Sequence, residues 1–87
     1  MPGSHWSARQ VSLLLLVLAL RERNVPLVTQ RTLQASLMAF GVVRNKNAVE
    51  SKARRLKRDA HWYSGGRWDM NNIGREFEIQ FPVELQR

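Results

Sequence analysis

A mainly helical fold, with three helices packed in a bundle and then a small β-hairpin and a C-terminal strand, is predicted by three features of this 87-residue chain. Side-chain capping signatures stand before apolar runs at helical spacing. Two aromatic arms, Trp62-Tyr63 before and Trp68 after, flank a Gly65-Gly66 turn. Apolar and polar residues then alternate from Phe77 to Phe81.

The elements follow in order. Ser7 and Gln10 form the capping box Ser-x-x-Gln, with Trp6 and Val11 placed as a hydrophobic staple, so a first helix starts there and runs to about Arg23. Asn24 and Pro26 stop it. Its apolar residues, Leu13 to Leu18 and Leu20, surround the whole helix, so more than one neighbour must cover it. Thr29 is a fitting N-cap for a second helix with Leu33, Leu37 and Phe40 on its apolar face and Gly41 at its end. A third helix begins at Asn45 or Asn47, the latter with Glu50 as box partner, presents Ala48, Val49, Ala53 and Leu56 inward, and ends near Asp59 or Ala60. His61 to Met70 reads as a hairpin around Gly65-Gly66. Asn71 to Gly74 reads as a second turn, and Phe77, Ile79 and Phe81 as a strand closed by Pro82. The expected organisation is a tail or expression remnant at 1–5, a helical body at 6–60, and a hairpin with a strand packed on that body at 61–87.

Composition narrows the function classes. The chain has no cysteine, which excludes disulfides, thiolate metal sites and cysteine nucleophiles. The Val11–Leu20 run is about half of the ~20 residues that a membrane span requires, and the charged triplet Arg21-Glu22-Arg23 follows it instead of a small-residue cleavage site. An intracellular protein is expected, neither membrane-bound nor secreted. Catalysis is not expected either. His5 and His61 are far apart, only Asp59 lies near one of them, metal-ligand spacing is lacking, and Gly65-Gly66 alone makes no phosphate loop. The expectation is a non-enzyme without cofactor, metal or small-molecule substrate.

Charge points to a polyanion. The net charge is +7, and Arg44 to Arg58 holds seven cations and one acid, whereas the segment from Trp68 onward is mildly acidic through Asp69, Glu76, Glu78 and Glu84. On a helical wheel, Asn47, Ser51, Arg54 and Arg58 fall opposite Val49, Ala53 and Leu56, with Lys46, Arg55 and Lys57 at the margins. Asn and Arg pair with adenine and guanine edges, and flanking cations neutralise phosphates. The DNA-contact residues expected are Arg44, Lys46, Asn47, Ser51, Arg54, Arg55, Lys57 and Arg58, with Arg67 at the hairpin tip. A short turn joining the second helix to a basic third helix is the helix-turn-helix arrangement.

Trp6-Ser7, the Leu-rich first helix, and the segment Arg44-Asn45-Lys46-Asn47-Ala48-Val49-Glu50-Ser51-Lys52-Ala53-Arg54-Arg55-Leu56 together resemble a Myb/SANT-like domain over about Trp6 to Arg58. A similar third helix occurs in bacterial GcrA-type regulators. The chain departs from the Myb pattern in keeping only Trp6 of the regularly spaced tryptophans, and in carrying Ala8-Arg9-Gln10 where an acidic cluster commonly stands. The second departure favours DNA over basic histone tails. The residues after helix 3 look more like the wing of a winged helix.

The resemblance implies double-stranded DNA as partner, a role in transcription or chromatin regulation, and a nuclear location, or a cytoplasmic one in a bacterial or viral setting. The alternative is a protein-interaction or dimerisation module that uses Leu14, Leu18, Phe77, Ile79 and Phe81, since the leucines of helix 1 exceed what two helices cover. Trp62, Tyr63 and Trp68 are read as core closure, with a stacking platform for single strands as the sharper alternative.

Overall fold

The computed structural model describes residues 5–82; the tail assignment at 1–4 and Glu84 lie outside them. Five helices and one two-stranded hairpin follow in the order α1 (Ala8–Glu22), α2 (Pro26–Thr29), α3 (Leu33–Ala39), α4 (Lys46–Lys57), β1 (Tyr63–Ser64), β2 (Arg67–Trp68) and α5 (Met70–Gln80). The protein is mainly helical.

Helix α1 starts at the expected capping box. Ser7 Oγ accepts from the Gln10 amide and Gln10 Oε1 accepts from the Ser7 amide, both at 3.1 Å, so two orphan donors of the first turn are satisfied. The helix stops at Arg23, and Asn24 turns the chain with φ 60°. Leu14, Leu15, Val17 and Ala19 are fully buried. Helices α2, α3, α4 and α5 and strand β2 all pack on α1, which explains a sequence that is apolar on every side.

The second helix differs from expectation at its start. Thr32, not Thr29, is the cap: its Oγ1 accepts from the Ala35 amide at 3.1 Å, while Thr29 closes the short α2, which begins on Pro26. Proline is suited to that first position because its missing N–H would have no helical partner. Leu37 and Ser36 face inward, but Phe40 is the C-cap residue and remains 42% exposed, so it does not continue the apolar face. Asn45 caps α4, its Oδ1 accepting from the Ala48 amide at 2.8 Å, and the Asn47–Glu50 box is not formed.

The hairpin forms where expected. Tyr63 pairs with Trp68 and Ser64 with Arg67, leaving Gly65 and Gly66 as a two-residue loop at φ 64° and 79°. Positive φ at both central positions suits the right-handed twist of the two arms, and glycine adopts it without a Cβ clash. Trp68 is buried, and its amide donates to Glu22 Oε1 at 3.0 Å, tying the hairpin to the end of α1. Trp62 and Tyr63 are half-buried against the core.

The predicted C-terminal strand is a helix. Asp69 Oδ1 accepts from the Asn72 amide at 3.0 Å, so Asn71 to Gly74 is the first part of α5 and not a turn. Met70, Ile73 and Phe77 recur at helical spacing. Ile73 is fully buried against the core to which Met70 also belongs, and α5 makes the most extensive of the helix contacts with α1. The leucine surplus of α1 thus finds its cover inside the chain. Leu14 cannot serve as an interaction surface, because it is fully buried, and of the other residues expected there Leu18, Phe77 and Phe81 are half-buried. Only Ile79 of that set stands out, at 64% exposure.

Candidate nucleic-acid interface

Helix α4 is held by its apolar side. Val49 and Leu56 are buried and Ala53 is half-buried, which fixes the rotation of the helix about its own axis. Asn47, Ser51, Arg54 and Arg58 then lie within an arc of about 60° on the opposite side, at 100° per residue. All four are exposed. From Asn47 to Arg58 this face extends about 16 Å at 1.5 Å per residue. Lys46, Arg55 and Lys57 are exposed beside it, whereas Lys52 is half-buried. Among the described residues, no side chain hydrogen-bonds or pairs with the guanidinium groups of Arg54, Arg55 and Arg58.

The two ends of α4 are braced differently. At its N-terminal side, Arg44 is expected on the contact face but is half-buried and committed to the chain itself. Its guanidinium lies 4.7 Å from the Trp6 ring centroid and donates to Gln10 Oε1 at 3.0 Å and to the His5 carbonyl. A cation over an aromatic face, joined to a capping residue of α1, locks the α3–α4 turn onto the start of the first helix. The Gln34 side-chain amide adds a bond to the Arg44 carbonyl at 2.9 Å. Through Trp6, the residues before α1 also border this exposed strip, since Trp6, Ala48, Ser51, Lys52 and Arg55 line one small surface groove. The sequence signal for Trp6 was its staple position; nothing in the spacing disclosed its nearness to Ser51.

At the other end, Lys57 Nζ sits 5.0 Å from the Tyr63 ring centroid, which sets β1 beside the last turn of α4. Tyr63 and Trp68 meet edge to face at 4.9 Å, so this root is rigid. Arg67 is exposed next to the Gly65-Gly66 loop. The structure therefore gathers Lys46, Asn47, Ser51, Arg54, Arg55, Lys57 and Arg58 on one helix, brings the hairpin that carries Arg67 to its C-terminal end, and withdraws Arg44.

His61 lies outside this surface chemistry. Its backbone amide donates to Asp59 Oδ1 at 2.9 Å and its ring stands edge-on to Trp62 at 4.4 Å. Among the described residues no group of three or more His, Cys, Asp or Glu is placed to hold a metal, and no helix is long and apolar enough to cross a membrane. Comparison with family models, with curated proteins and with solved structures finds no match to this chain.

Proposed function

We propose that this chain binds double-stranded DNA as a helix-turn-helix protein, with α3 and α4 as the paired helices, α4 in the major groove and the β1–β2 hairpin as a short wing. One observation carries the reading: a braced helix presents Asn47, Ser51, Arg54 and Arg58 in a single exposed strip opposite its buried residues. A major groove about 12 Å wide admits such a helix, and these side-chain types match base edges there. Lys46, Arg55, Lys57 and Arg67 serve the phosphates, which fix register without reading sequence. The reading draws on the sequence resemblance of the body to a Myb/SANT-like domain and takes the hairpin as the wing of a winged arrangement. A regulator of transcription or chromatin is the role in view. The competing assembly-module reading draws on the leucines of α1, of which Leu14 and Leu15 are buried and Leu18 half-buried, and the packing of α5 on α1 supplies a cover within the chain.

The test is fluorescence anisotropy of labelled duplex DNA titrated with the chain and with its Arg54→Ala/Arg58→Ala variant. A loss of about tenfold or more in affinity, with an unchanged melting curve, is expected, since one good bidentate contact contributes ~1–3 kcal/mol. Equal binding by the variant would exclude this strip as the contact face.

A further inference from the structure

The side of the molecule built by α2 and α3 has an apolar groove of about 250 Å³ lined by Leu27, Val28, Arg31, Ser36, Ala39 and Phe40. Leu27 is 64% exposed and Phe40 42%, although both are large apolar side chains. The groove is preformed: Arg21 Nη1 donates to the carbonyls of Val28 at 2.8 Å and Arg31 at 2.7 Å, holding the segment after α2 in place. No Asp or Glu lines the groove, and Arg31 is the cation in its wall.

The outer face of α5 offers the complementary chemistry. Ile79 is 64% exposed there and Glu78 stands next to it. The other charges of this helix are engaged: Arg75 Nη1 donates to Asn72 Oδ1 at 3.2 Å, and Glu76 Oε2 accepts from Gln80 at 2.9 Å. Glu78 has no such partner among the described residues. An exposed branched aliphatic side chain beside an uncommitted carboxylate thus matches an open apolar groove with a guanidinium in its wall.

We propose that a second copy of this chain is the occupant of the groove, inserting Ile79 of its α5 between Leu27 and Phe40 and setting Glu78 against Arg31. The two patches are different surfaces of the molecule, so the contact is either made twice across a two-fold axis or runs head to tail into a ring or a chain. A single contact of this small extent belongs to the weak class of interfaces, so it is seen in concentrated solution.

Sedimentation equilibrium without DNA tests the proposal, in a concentration series reaching ~1 mM at about 0.15 M salt, where repulsion between the like-charged copies is screened. The average mass is expected to rise above that of the monomer. Arg31→Glu and Glu78→Arg should each weaken association about tenfold or more, and the double exchange should restore it, because like charges then become a pair again. Ile79→Ser, at an exposed position, should weaken it without altering the melting curve. A monomer at every concentration, or single exchanges without effect, would each overturn the proposal. Because no DNA is present, these outcomes leave the nucleic-acid reading of α4 untouched.

Discussion

Replacing Ser12 by alanine should make the protein more stable. Ser12 is fully buried in α1, and its Oγ is a buried side-chain atom without a hydrogen-bond partner. A hydroxyl in that state carries its desolvation penalty, ~1–3 kcal/mol, with nothing to offset it. Alanine is also the better helix former, by up to ~0.7 kcal/mol. Against these, the vacated oxygen leaves a void of some ten cubic ångströms, which costs about 0.2–0.4 kcal/mol at ~24 cal/mol per Å³. The net expectation for Ser12→Ala is a gain of about 1–3 kcal/mol. For a domain of this size each 1 kcal/mol moves the melting temperature by roughly 4–8 °C. Thermal unfolding followed by circular dichroism should therefore show a rise of at least about 4 °C. An unchanged or lower midpoint would refute the reasoning and mean that the hydroxyl is bonded in solution, to a backbone carbonyl of its own helix or to an internal water.

Two further stability changes probe the elements around the candidate interface. Ile73→Ala removes the fully buried anchor of α5 and should cost ~2–5 kcal/mol in urea unfolding; a loss under about 1 kcal/mol would detach α5 from the core. Gly66→Ala places a Cβ at φ 79° where no atom lies within 4 Å, so its cost is conformational alone, about 1–2 kcal/mol by the same unfolding assay. No change there would mean that the hairpin turn does not persist in solution.

Local signals made α1, α4 and the hairpin readable, whereas the short α2 and the Thr32 cap of α3 were missed. The Ser7–Gln10 box, Asn24 before Pro26, Asn45 before Ala48 and the paired glycines each act over three or four residues, and each appears in the structure as its own hydrogen bond or turn. The exposed polar strip of α4 was equally legible, because the inward positions Val49 and Leu56 determine what faces out. Helix α5 was misread through a coincidence of periods. Phe77, Ile79 and Phe81 alternate as a strand would, yet Met70, Ile73 and Phe77 also repeat as a helix does, and Gly74 lowers helical propensity by ~1 kcal/mol. What decides between the two is tertiary: the leucines of α1 need a long cover, and an Asp69-capped helix offers one. Arg44 was misplaced for a related reason. Its partners Trp6, Gln10 and His5 lie more than thirty residues away in sequence, and no local pattern marks them.

The central claim is tested most directly by the salt dependence of duplex binding. Four exposed cations assigned to phosphates, Lys46, Arg55, Lys57 and Arg67, give a slope of log affinity against log salt of about −3.6, at −0.9 per neutralised phosphate. Anisotropy titrations of one labelled duplex across a range of salt concentrations should return a slope between about −3 and −5, the steeper limit applying if Arg58 joins them. A slope near zero, or no duplex binding at the lowest salt, would contradict the assignment of α4 to DNA.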